Sequence, residues 1–211
     1  MQSLVIIGAR GSGRGVLNMI KQGRILGDFV VKGFLDDNKH VFDGLIGDFP
    51  PILCSVEDYT VESDDVFFCA LGDSHYRKQY AEIIEKKGGR FCSLISKDAY
   101  INRNSIIHDG SFIGEHTMID DNVVIGNHAV IHPFCIVGHN SIIGDFASIE
   151  SYSFVGGNSK IGNEVSLHVR STVIPHISIE EKAVVGAGSV VIKNIPKGVH
   201  VFGNPAKKII Y

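Results

Sequence analysis

The sequence predicts an α/β + β architecture: a small Rossmann-like domain over residues 1–96, then a parallel β-helix over residues 97–211. Three observations predict it. From Ile101 to Val191 an aliphatic residue stands at every sixth position without a break, through Ile107, Ile113, Ile119, Ile125, Ile131, Val137 and onward. Two residues before each aliphatic the side chain is usually small, as at Ser105, Ser111, Ala129, Cys135 and Ser153, and a glycine often follows, as at Gly114, Gly138 and Gly156. Ahead of this array, short apolar runs alternate with helical patterns. A period of six fits neither a helix of 3.6 residues per turn nor a hairpin meander; it is the period of a solenoid. The aliphatic points into the coil, the small residue packs at a corner, and glycine supplies the positive φ or crowded backbone that the corner demands.

Composition narrows the class. A chain of 211 residues can bury a substantial core, and a net charge of −3 excludes the basic excess of a non-specific nucleic-acid binder. The four cysteines, Cys54, Cys69, Cys92 and Cys135, form no CxxC pair, which suits a reducing compartment. The opening segment lacks the basic start of a signal peptide, and no apolar run reaches membrane-spanning length. The expectation is a cytoplasmic protein with neither nucleic acid nor membrane as partner.

In chain order, Leu4–Ile7 reads as a strand buried on both faces, leading into Gly8-Ala9-Arg10-Gly11-Ser12-Gly13 and a helix on which Val16, Leu17, Met19 and Ile20 are apolar. Strand, glycine loop and helix bring backbone N–H groups toward a phosphate, although the spacing G-x-x-G-x-G departs from the dinucleotide fingerprint. A second strand, Val30–Leu35, ends in Asp36-Asp37, where a ribose or sugar hydroxyl binds in such units. Pro50-Pro51 breaks regular structure. Val66–Leu71 is a third strand ending at Gly72, Ser74 is a candidate helix cap, and Arg90–Ile95 reads as a fourth strand. Arg10, Gly11, Ser12, Asp36, Asp37 and Gly72 therefore share the edge that binds ligands in doubly wound sheets. The domain is small for a dinucleotide and suits a nucleotide or nucleotide sugar.

The hexads, together with the closing Gly203-Asn204-Pro205-Ala206-Lys207, resemble the hexapeptide acyltransferases, whose fold is a left-handed β-helix with three hexads per coil. With Gly33-Phe34-Leu35-Asp36-Asp37 and Ala70-Leu71-Gly72, the whole chain is similar to the sialic acid O-acetyltransferase family. That family includes the N-acetyltransferases of nucleotide-linked 4-amino sugars in bacterial glycan pathways. The resemblance implies a left-handed coil, where the general crossover rule favours the right-handed one. It also implies a homotrimer with acetyl-CoA in the groove between neighbouring helices, and no metal. Stacking at 18 residues puts His139 over Gly157. In the family the histidine is the general base and the glycine N–H stabilises the oxyanion, a pairing that suits direct acetyl transfer to an amine or hydroxyl. The resemblance assigns His139, Asn140 and Gly157 to catalysis, and Ser148, Gly157, Val169, Ala187 and Gly188 to acetyl-CoA.

Three positions depart from the family pattern. Asn140 replaces an acidic residue, Ser148 replaces a second histidine, and Ser12 replaces the histidine that faces the sugar. His108, His116, His128, His176 and His200 read as surface or corner residues, whereas His132, seven positions before His139, has a place near the site of a neighbouring chain. O-acetylation of a hydroxyl and a longer acyl donor stay open. A metal-dependent carbonic anhydrase on this fold needs two histidines five residues apart, and Val137 and Val173 stand where partners for His132 and His168 are required. A non-catalytic trimeric scaffold is the third class.

Overall fold

The computed structural model describes residues 2–209. The chain divides into two compact units, one ending at Cys92 and the other beginning at Ser93. The first contains β1 (Gln2–Ile7), α1 (Gly11–Lys21), β2 (Phe29–Leu35), β3 (Ile52–Cys54), β4 (Asp65–Cys69), α2 (Ser74–Lys86) and β5 (Arg90–Phe91). The five strands pair in the order β3-β2-β1-β4-β5, all parallel. Leu4 to Ile7 are buried, as are Phe34, Leu35, Phe67 and Phe68, so the central strands read as continuous apolar runs. The chain leaves β1 toward β2 on one side and returns to β4 on the other, which opens a crevice beyond the strand ends at β1.

Four details differ from the sequence expectation. Ile52–Cys54 is an edge strand of three residues directly after Pro50-Pro51, too short to carry a periodic signal. Strand β4 begins at Asp65 and closes at Cys69, before Leu71. Asp73, not Ser74, caps α2: its Oδ1 accepts from the His75 N–H at 2.8 Å. The stretch Arg90–Ile95 is shared between the two units. Arg90–Phe91 pairs with β4 and Cys92 N–H donates to Phe67 O, whereas Leu94–Ile95 pairs with Phe112–Ile113 and Leu94 N–H donates to Ser111 O. The second unit thus starts at Ser93, four residues ahead of the expected start at 97.

The second unit is a three-faced parallel β-helix, and the register between coils is 18 residues from Leu94 to Val191, as in Ile119↔Val137↔Val155↔Val173. Face one carries Tyr100–Ile101 through Val190–Val191, face two Ile106–Ile107 through Ser178–Ile179, and face three Leu94–Ile95 through Val184–Val185. Face three then adds His200–Phe202 in parallel and Lys207–Lys208 antiparallel. From Ile113 to Val191 the hexad aliphatics are almost completely buried, each stabilising the coil by about 1.5–3 kcal/mol. The small residues owe their identity to the corners as well as to space. Ser111 Oγ donates to Gly126 O at 2.7 Å, Thr117 Oγ1 to His132 O at 2.9 Å, and Ser153 Oγ to His168 O at 3.1 Å.

The glycine after the aliphatic is required by crowding, not by positive φ. A Cβ on Gly138 would lie 2.6 Å from Gly157 N, and one on Gly156 would lie 2.4 Å from Pro175 N. The left-handed backbone falls two residues later, on residues such as Asn122, Phe134, Asn140, Tyr152 and Asn158, with φ of 55° to 63°. Among the described residues no helix is long and apolar enough to cross a membrane.

Candidate functional site

At each corner one backbone N–H points away from the ladder. Prolines at 133 and 175 occupy this position without loss, because the coil has no use for the hydrogen. At two corners a side chain of the next coil covers it: Asn127 N–H donates to Asp145 Oδ1 at 2.7 Å, and Asp145 N–H to Asn163 Oδ1 at 3.0 Å; at a third, Asp121 N–H donates to Asp120 Oδ1. Gly157 holds the same position between faces one and two, and its N–H makes no hydrogen bond among the described residues. Directly above stands His139. A Cβ on Gly157 would lie 2.8 Å from His139 Nε2, 3.0 Å from Cε1 and 3.1 Å from Cδ2. The imidazole edge therefore occupies the space of the missing side chain, with a spare donor beside it.

Backbone bonds fix this arrangement. Asn158 N–H donates to His139 O at 2.8 Å and Asn140 N–H to Asp121 O at 2.9 Å. On the far side of the ring, His139 Nδ1 is 2.9 Å from Asn140 Nδ2, and Asn140 Oδ1 accepts from Asn122 Nδ2 at 2.7 Å. A ring nitrogen able to take a proton, next to an uncommitted N–H able to hold negative charge, is the minimum equipment for acyl transfer by direct attack.

The remaining residues expected at acetyl-CoA lie elsewhere on the coil. Val169, Ala187 and Gly188 are all exposed on the corner between faces three and one, where Gly188 N–H donates to Val169 O at 2.9 Å. Ser148 is 5% exposed on face three. A single chain does not gather these four around His139. Between the two corners, face one presents a column of outward apolar side chains: Tyr100, Met118, Ile136 and Phe154, from 60% to 38% exposed. His132 follows face three at the corner toward face one, its Nε2 3.6 Å from Glu150 Oε2 and its ring edge-on to Phe112.

In the first unit a cavity of about 370 Å³ opens at the strand ends, lined by Gly8, Arg10, Asp36, Asp37, Gly72 and Tyr80 among others. Four of the six residues expected there, Arg10, Asp36, Asp37 and Gly72, line it; Gly11 and Ser12 are exposed in the first turn of α1 and do not. Asp36 is engaged by the backbone. Its Oδ2 accepts from Ala9 N–H and its Oδ1 from Asn38 N–H, each at 3.0 Å, so it ties the glycine loop to the end of β2. Asp37 is the exposed carboxylate of the pair. Tyr76 and Tyr80 complete the wall from α2 and were missed in the sequence, although their four-residue spacing after the helix cap puts them on one face. Burial first, and then the charges of Asp37 and Glu57, push the Tyr80 phenol above its ordinary value. The carboxylates of Glu62 and Asp65 lie away from this cavity and are bridged by Lys32 Nζ at 2.9 and 2.8 Å.

The chain is similar to several known proteins. Residues 3–84 match the family described as PglD N-terminal domain, and residues 91–191 the family described as GMPPB C-terminal domain. A point mutant of perosamine N-acetyltransferase from Caulobacter crescentus, solved in complex with CoA and GDP-perosamine, superposes with a TM-score of 0.88 at 21% identity. The match covers 100% of this chain and 98% of that one. The acetyltransferase domain of PglB from Neisseria gonorrhoeae FA1090, in complex with acetyl coenzyme A, gives 0.87 at 25% identity over 99% of both chains. YvoF of Bacillus subtilis (strain 168), named as an acetyltransferase, is 45% identical over 51 residues, which are 24% of this chain and 29% of that protein.

Proposed function

For a chain that belongs to the hexapeptide-repeat acetyltransferases of nucleotide-linked amino sugars, we propose transfer of an acetyl group from acetyl-CoA to the amine of a nucleotide-linked sugar that serves surface-glycan synthesis. The observation that carries the proposal is His139 standing over the spare N–H of Gly157. His139 takes the proton as the sugar amine attacks the acetyl carbonyl, and Gly157 N–H holds the charge that grows on the carbonyl oxygen. The adduct then collapses with cleavage of the thioester C–S bond, and CoA leaves as the thiol with the proton that His139 returns. No covalent bond to the enzyme is needed. The cavity at β1 holds the nucleotide sugar through Arg10, Asp37 and Gly72, a division of labour supported by its place at the topological switch point. The Neisseria domain bound to acetyl coenzyme A and the Caulobacter enzyme bound to GDP-perosamine support the two substrates.

The active form is a homotrimer. His139 lies at one edge of face one and Val169, Ala187 and Gly188 at the other, with an exposed apolar column between them. Three chains that turn face one toward a common axis cover that column and bring the His139 corner of each against the Val169 corner of the next. Acetyl-CoA then lies between chains, and a monomer holds half a site.

The test is acetyl transfer with UDP- and GDP-linked 4-amino sugars beside their 4-hydroxy analogues. We expect CoA release with an amino sugar, and a His139→Ala enzyme slower in kcat by roughly 10²–10⁴ with little change in acetyl-CoA affinity. A variant within about threefold of the parent ends the assignment, and turnover of the hydroxy sugars alone reassigns the enzyme to O-acetylation.

A further inference from the structure

A base at His139 imposes a condition on its neighbours. For Nε2, the ring nitrogen next to Gly157, to accept a proton, the neutral imidazole must carry its own proton on Nδ1 and donate it. Nδ1 faces an amide, and an amide has a donating and an accepting end. With Asn140 Nδ2 toward the ring at 2.9 Å and Asn122 Nδ2 donating to Asn140 Oδ1 at 2.7 Å, Nδ1 accepts. The proton then sits on Nε2, and the ring meets the substrate as a donor. A half-turn of both amides about their terminal torsions exchanges nitrogen and oxygen at the same positions. Nδ1–H then donates to Asn140 Oδ1, Asn140 Nδ2 donates to Asn122 Oδ1, and Nε2 is left with a lone pair.

We propose that Asn122 is a positioning residue for the acetyl transfer. Acting through Asn140, it anchors the chain Asn122–Asn140–His139, and with its oxygen turned toward Asn140 Nδ2 the proton stands on His139 Nδ1. This rests on His139 being the base. A carboxylate at residue 140 would need no such help, because it only accepts; an amide at 140 serves only while its partner at 122 accepts from it. The geometry for that contact is built into the coil. Asn122 and Asn140 hold the same corner position one coil apart, with φ of 55° and 57°. The other groups at this corner are committed or distant from the ring. Asp120 Oδ1 accepts from Asp121 N–H, and Asp121 Oδ1 accepts from Asn104 Nδ2, each at 2.8 Å. His176 stands two coils beyond Asn140, past Asn158.

The experiment compares Asn122→Leu, which can neither donate nor accept, with Asn122→Asp, which only accepts and holds the chain in the productive sense. The histidines are labelled with ¹⁵N, the His139 signals are identified by their loss in His139→Gln, and the ring tautomer is read where the imidazole is neutral. The parent and Asn122→Asp should show the proton on Nδ1, and Asn122→Leu a mixture with Nε2–H. Asn122→Leu should lose on the order of tenfold or more in kcat with both KM values nearly unchanged, as expected for a misplaced proton and not for lost binding. Asn122→Asp should recover most of that rate. A parent with the proton on Nε2, or two Asn122 variants with the parent's tautomer and rate, overturns the proposal while His139→Ala remains inactive. An active His139→Ala overturns the base assignment and this proposal together.

Discussion

At residue 157 the smallest possible change, one methyl group, tests the site. Gly157 does not have positive φ, so alanine strains no backbone there. Its Cβ would sit 2.8 Å from His139 Nε2, well inside contact distance, and the exposed imidazole must move aside. We expect Gly157→Ala to fold with a melting temperature near the parent's and to lose about 10²-fold in kcat, the cost of a displacement near 1 Å. Circular dichroism melts and steady-state kinetics check both halves, and parental kinetics would separate His139 from Gly157. That His139 lies over Gly157 was legible in the sequence, because a strict period of 18 residues fixes which side chains stack. The spare N–H was not, since only the coil shows which backbone groups the ladder consumes. Nor were the aromatics with left-handed φ. Phe134 and Tyr152 accept φ of 62° and 63°, stacked with ring centres 4.9 Å apart. Stacking worth about 0.5–1.5 kcal/mol for the pair offsets part of a backbone cost of about 1–2 kcal/mol per residue.

The end of β2 shows an element dividing two tasks between adjacent carboxylates. Asp36 binds Ala9 N–H and Asn38 N–H, while Asp37 faces the cavity beside Tyr80. Asp36→Ala leaves two backbone donors without their acceptor, at about 1–3 kcal/mol for each that stays buried, so it should lower the melting temperature measurably. Asp37→Asn should keep the parent's stability and raise the KM for the nucleotide sugar more than that for acetyl-CoA. Equal effects on both substrates, read from steady-state kinetics, would count against the cavity as the sugar site. The sequence placed both carboxylates at this edge because an apolar run that ends in acids and follows a glycine loop reads as a strand of a doubly wound sheet. It did not reveal which acid the backbone claims, since the Ala9 contact spans 27 residues. The same limit explains β3 and the split of Arg90–Ile95. Partner choice across a sheet decides them, and two- or three-residue segments carry no period of their own.

Across the whole molecule, the hexads made the solenoid legible as far as Val191, whereas the proposed trimer rests on an exposed apolar column on face one. In the proposed trimer, Ile136→Glu would set one carboxylate per chain around the threefold axis. We expect light scattering to report monomers, circular dichroism to report an intact coil, and acetyl transfer to be lost; a fully active trimer would refute the placement of face one. The far end of the coil has another consequence. Rungs spaced at about 4.8 Å are also the repeat of cross-β fibres, so a β-helix is a short fibril that must be told where to stop. His200–Phe202 covers the last rung of face three, and Lys207–Lys208 crosses it antiparallel with two exposed charges. A chain ended at Lys197 would leave Val184–Val185 as a bare parallel edge, free to accept the first rung of another molecule. Such a chain should grow end to end into rods visible by electron microscopy, with the 211-residue chain remaining discrete at the same concentration.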